Sequence, residues 1–140
     1  MAIREIIFRG KRTDNGQWAQ GSLLAEGSRV EIIRGTCNNV GIESVEVIPE
    51  TVGQYTGLTD KSGTKIFEGD IVQVISTLSD NGKHIVVRFD GKRGGWLPFA
   101  NGDGCGCCEY ETYAPNGDGV VDCVELVGNI HDNPELLGAE

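Results

Sequence analysis

Apolar and polar residues alternate along this chain with a period of two. Arg29–Arg34 reads R-V-E-I-I-R and Ser44–Ile48 reads S-V-E-V-I. That alternation puts successive side chains on opposite faces of a strand. Ile3–Arg9, Gln17–Leu24, Thr51–Thr56, Ile71–Leu78, Lys83–Asp90, Trp96–Phe99 and Val120–Ile130 add further strand-length runs, and Thr64–Phe67 a shorter one. Between them, Asp14-Asn15-Gly16, Gly35–Gly41, Ser62-Gly63, Glu68-Gly69-Asp70, Ser79–Gly82, Asp90-Gly91, Asn101–Gly104 and Pro115–Gly119 read as turns and loops. The pattern offers one helix start, Asn133-Pro134-Glu135. There Asn133 suits the cap, Pro134 the first helical position and Glu135 the positive end of the helix dipole. The chain runs only to Glu140, so that helix is short. Internal repeats and sharp composition shifts are both missing. The expected architecture is a single all-β (mainly β) domain over residues 1–140, a barrel or sandwich with a short C-terminal helix.

Composition supports many turns. Gly supplies 21 of 140 residues without a collagen-like period, and Pro only 4, so the glycines mark tight turns. Charge is placed unevenly. Residues 101–140 hold nine of the 21 acidic residues and none of the 12 basic ones, within a net charge of −9. A duplex-binding surface needs clustered Lys and Arg, so a general DNA binder is not expected. Residues 1–8 are interrupted by Arg4 and Glu5 and lack a signal-peptide core of about 7–15 apolar residues. No run approaches the roughly 18 apolar residues of a membrane span. An odd count of five Cys, three of them within four residues, does not make a secreted disulfide framework. A cytoplasmic, reducing setting is the expectation.

Two segments carry a family resemblance. The first is Gln54-Tyr55-Thr56-Gly57-Leu58, Asp60, Gly63, Ile66 and Glu68-Gly69-Asp70-Ile71-Val72. The second is Gly128-Asn129-Ile130 followed by Asn133-Pro134-Glu135-Leu136-Leu137. Together with Ile6-Ile7-Phe8-Arg9 near the start, they resemble the YopX proteins of bacteriophages and prophages. The Glu68–Val72 stretch resembles the opening of small SH3-like barrels, which implies an SH3-like core with added N-terminal strands. The resemblance implies a phage or prophage role in a bacterial cytoplasm. Gly35–Gly41 and Gly102–Gly119 depart from the family pattern, so no role passes to them. By their own chemistry the motif residues read as structural: Gly57, Gly63 and Gly69 as turn formers, Asp70 as a local acceptor, Ile66, Ile71 and Val72 as core. Tyr55 suits a half-buried or interfacial place.

Three constellations merit a chemical reading. Cys105 and Cys108 have C-x-x-C spacing around Gly106 and Cys107, and Cys123 or His131 would complete a zinc tetrahedron. A second C-x-x-C pair is missing, so the cluster is expected to be reduced thiols without metal. Asn116, Asp118, Gly119, Asp122 and Glu125 fall at calcium-loop positions counted from Ala114. Ala114 replaces the first acid, and a strand follows where a helix is required, so a hairpin turn is the expected form. Lys83, Arg88, Lys92 and Arg93 lie among Phe89 and Trp96. A Lys83–Arg93 hairpin of this composition suits single-stranded nucleic acid, although a solvated hairpin explains the same residues.

Enzyme signatures are missing. His84 and His131 are the only histidines, and neither joins a nucleophile–base pair. The sequence therefore leads to a non-enzymatic phage or prophage accessory protein that binds a protein partner, without catalytic, cofactor or metal residues. A homo-oligomer is compatible with this reading. A nucleic-acid-binding regulator built on the Lys83–Arg93 hairpin is the first alternative. A metal-dependent activity of the Cys/Asp-rich C-terminal region is the second.

Overall fold

The computed structural model describes residues 5–35, 41–75, 82, 84–91, 95–97, 119–121 and 123–138. It is mainly β. The chain gathers into two compact units, Met1–Tyr55 and Thr56–Glu140.

In the first unit, β1 (Phe8–Lys11), β2 (Trp18–Glu26), β3 (Arg29–Gly35) and β4 (Ile42–Val47) follow in antiparallel order. The start of β5 (Gly53–Asp60) pairs with the free side of β1 through Phe8↔Gln54 and Arg9↔Gly53. β2 changes partner midway: residues 18–21 pair with β1, and residues 22–26 with β3. Gly21 sits at that change. A Cβ there would lie 2.3 Å from the Ile33 carbonyl oxygen, so only glycine lets the backbones approach so closely. The inner face carries Ala19, Ile32, Val45 and Val47, all buried, with Phe8, Leu23, Val30 and Val52 against them. Beyond β1 the chain turns back onto β4. Thr13 N–H donates to the Glu46 carbonyl at 3.1 Å, Ile48 N–H to the Lys11 carbonyl at 2.8 Å, and Arg12 bridges Val47. The sheet curls, but strand pairing among the described residues does not close it into a barrel.

A 3-10 turn at Pro49–Thr51 replaces the start of the strand expected at Thr51–Thr56. Pro49 cannot donate a ladder hydrogen bond, and the buried Thr51 fixes the turn. Its hydroxyl donates to the Ile48 carbonyl at 2.6 Å and accepts from Lys11 N–H at 2.9 Å.

In the second unit, β7 (Asp70–Val74) lies between β12 (Val124–Asn129) and β8 (His84–Val86). β6 (Lys65–Phe67) pairs with β5, and β11 (Val120–Val121) runs parallel to β5 through Val120↔Thr59 and Val121↔Asp60. Ile66, Val72, Val74, Val87, Val121 and Val124 form the core, packed by Leu58, Ile85, Trp96, Cys123 and Leu126. Burying each such aliphatic side chain contributes about 1.5–3 kcal/mol, which explains the near-continuous apolar run of β7.

The described part of the Lys83–Arg93 segment, residues 84–91, does not pair with itself as a hairpin. Its first part, β8, pairs with β7, while β9 (Arg88–Asp90) turns to pair with β10 (Gly95–Leu97). The fully buried Val87 divides them. Its N–H donates to the Asp70 carbonyl and its carbonyl accepts from Gly69 N–H, both at 2.8 Å. The chain ends in α1 (Glu135–Gly138), a single turn. Its Leu136 carbonyl lies 3.1 Å from His84 Nδ1.

Candidate functional site

The two family-like segments are occupied with holding the second unit together. Asp60 is 1% exposed, and its carboxylate accepts three backbone N–H groups. Oδ1 takes Ser62 and Thr64 and Oδ2 takes Leu126, all at 2.9 Å. One side chain thus shapes the 60–64 loop and ties it to β12. Asp70 is equally buried and accepts Phe67 N–H at 2.7 Å through Oδ2. Between them Gly69 adopts φ +91°, a left-handed conformation that a β-branched residue resists. In the C-terminal segment, Asn129 Oδ1 accepts His131 N–H at 3.0 Å and Asp132 N–H at 2.9 Å. Asn133 Oδ1 in turn accepts Asn129 N–H at 3.3 Å. Asn133 thereby ties α1 back to β12. Tyr55, for which its chemistry suited a half-buried or interfacial place, is buried.

The chemical constellations fall largely outside the described residues. Cys105, Cys107 and Cys108 lie outside the described residues, as do Asn116, Asp118 and Asp122. Cys123 is half-buried against the core, and His131 lies at the turn after β12. Glu125 stands within β12, opposite Gln73 of β7. Among the described residues no group of three or more His, Cys, Asp or Glu side chains could hold a metal ion. Lys83, Lys92 and Arg93 also lie outside the described residues.

What remains of the basic, aromatic segment is a compact aromatic surface. Phe89 and Trp96 are directly opposite in the β9–β10 pair. Their rings meet edge to face at 5.1 Å between centroids and 68° between planes, a favoured quadrupolar arrangement. Trp96 packs against the core of the unit, while Phe89 stays 50% exposed beside the exposed Arg88. The result is an aromatic side chain held outward by a partner that is itself anchored.

A further cluster went unread in the sequence. The Arg9 guanidinium lies 4.6 Å from the Trp18 ring centroid and Lys11 Nζ 5.5 Å from it, within cation–π range. Arg9 and Lys11 are two apart on β1, and Lys11 is opposite Trp18, so alternation places all three on one face.

Residues 7–138 match the family model described as YopX protein. The chain belongs to the YopX family. A solved structure, protein EF1440 from Enterococcus faecalis, is similar with a TM-score of 0.51 over 95% of this chain and 98% of that one. Its identity of 23% makes that a likeness of fold. No curated protein matches the chain. No helix among the described residues is long and apolar enough to cross a membrane.

Proposed function

We propose that this YopX-family chain is a non-enzymatic accessory protein of phage or prophage origin, acting in the bacterial cytoplasm by binding a protein partner through the β9–β10 hairpin. The observation that carries this reading is the half-exposed Phe89 ring braced by the anchored Trp96. An exposed apolar side chain alone means little. A rigid aromatic pair is different, because it offers contact area without first losing rotamer freedom, and such residues dominate interface energetics. Arg88 beside it supplies a charged rim. The net charge of −9 disfavours nucleic acid as the ligand. We also read the Thr56–Glu140 unit as related to small SH3-like barrels. Support comes from the Gly69 turn that opens β7 and from the short, sharply turned strands around it.

Site-specific photocrosslinking in infected or prophage-bearing bacteria tests the binding site. A benzophenone side chain in place of Phe89 should trap a discrete protein, and the same group at the exposed Asn15, in the turn before β2, should not. Equal labelling from both positions, or nucleic acid as the product from position 89, would remove this reading.

A further inference from the structure

The first unit presents a second surface, unrelated to the β9–β10 hairpin. Strand register decides which side chains share the outer face of the β2–β3–β4 sheet. Ser22 pairs with Ile33 and Ile33 with Ser44. Leu24 pairs with Glu31 and Glu31 with Glu46, and Gly35 pairs with Ile42. Since Ala19, Ile32, Val45 and Val47 occupy the inner face, these alternate positions face outward. Leu24, Ile33 and Ile42 are therefore diagonal neighbours, a spacing of about 7–8 Å across adjacent strands. Ile42 is 77% exposed and Leu24 43%. An aliphatic stripe crosses all three strands.

Acids accompany that stripe. Glu31 and Glu46 stand directly opposite each other, an arrangement in which like charges weaken a sheet. Glu26 shares their face, opposite Arg29. Arg29 reaches Glu31 at 3.3 Å from a largely exposed position, where an ion pair contributes little. On β2, β3 and β4, three carboxylates thus share the stripe's face with one guanidinium, while Arg9 and Lys11 of β1 gather on Trp18 at the other end of β2. The face is apolar along one diagonal and negative beside it.

We propose that this outer face docks a basic segment of a partner protein, one whose aliphatic side chains alternate with Lys or Arg. The aliphatic groups would cover Leu24, Ile33 and Ile42. The cations would stand between Glu31 and Glu46 and relieve their mutual repulsion. The free protein tolerates an unfavourable carboxylate pair that such a ligand makes favourable, so the charges give specificity for a cationic partner.

The test uses the full chain and synthetic peptides. A peptide of alternating Lys and Leu should shift the amide signals of Leu24, Ile33 and Ile42 in a two-dimensional NMR titration. A Lys/Ser peptide of equal charge should bind at least ~10-fold more weakly, because it cannot cover the stripe. Glu46→Gln, at an exposed position, should weaken the Lys/Leu peptide by about 3–10-fold. The same variant should raise the melting temperature of the free protein by about 1–2 °C, as the opposed charges are relieved. Ile42→Ser should weaken binding without changing its salt dependence. Signals that shift only within the acidic residues 101–140 would overturn the proposal. So would an unchanged affinity in Glu46→Gln, a lowered melting temperature in that variant, or equal binding of the two peptides.

Discussion

Replacing Asp60 by Asn isolates the role of its charge and acceptor count while keeping its shape. The carboxylate serves three backbone donors, two at Oδ1 and one at Oδ2. A carboxamide has one acceptor oxygen and one donor group. Its better orientation keeps the oxygen on Ser62 and Thr64 and turns the NH2 group toward Leu126 N–H. Two donors then face each other in a site only 1% exposed. Losing the Leu126 bond and leaving that N–H buried costs about 1–3 kcal/mol, and the two surviving bonds lose their charge assistance. We expect about 2–3 kcal/mol for Asp60→Asn and about 3–5 kcal/mol for Asp60→Ala, which orphans all three donors. With a urea slope of about 1–3 kcal/mol/M, the Asn variant should unfold roughly 1–2 M earlier. Hydrogen exchange gives the local reading: the Leu126 amide should lose protection in Asn, and the Ser62 and Thr64 amides only in Ala. An Asn variant with an unchanged midpoint and a still-protected Leu126 amide would refute the reasoning.

Gly69→Val should cost about 1–3 kcal/mol, because φ +91° is denied to a β-branched residue while its Cβ would meet nothing closer than 3.8 Å; a wild-type melting curve would contradict it. Gly128→Ala should destabilise through contact, since its Cβ would fall 2.6 Å from Asn133 Oδ1, and adding Asn133→Gly should recover part of the loss in the same melt. The Arg12 guanidinium, bonded at 2.8 and 3.0 Å, holds the Asp14 carboxyl below the usual range. That contribution is present above the unfolded carboxylate pKa and is lost as pH falls through the folded value. Arg12→Met should therefore raise the Asp14 midpoint in a carboxyl-carbon NMR titration. Arbitrary duplex DNA should not bind at micromolar concentration in physiological salt; a mobility shift abolished by Lys92→Glu would show otherwise.

Strand positions in the first unit were largely legible because one face of its sheet packs on a buried core. Arg29–Arg34 and Ser44–Ile48 alternate in sequence as Ile32, Val45 and Val47 alternate inward in space. What alternation cannot convey is partnership. Lys83–Asp90 keeps its period across Val87, yet the chain there leaves β7 and turns toward β10. The change is set by hydrogen bonds that join Val87 to Gly69 and Asp70, 18 and 17 positions away in the sequence. β5 likewise continues through Gly57, where the sequence offered a turn, because β6 and β11 both pair with that stretch. The opposition of Glu31 and Glu46 depends on register as well. Each is visible as a polar position, but only the β3–β4 pairing sets them against each other.

The same distinction explains why the family motifs speak to fold more than to activity. Asp60, Gly69, Asp70, Ile71 and Val72 are either buried or held at a positive φ. Asn129 and Asn133 close the turn that leads into α1. Side chains so engaged have little left to offer a ligand. The side chains free to meet a partner stand elsewhere: Phe89 on its braced hairpin, and Leu24 and Ile42 on the outer face of the first sheet. None of these belongs to the segments that carry the resemblance. On the docking roles proposed above, two members of the family would share this framework and still engage different partners, with specificity set by which residues occupy those outward positions.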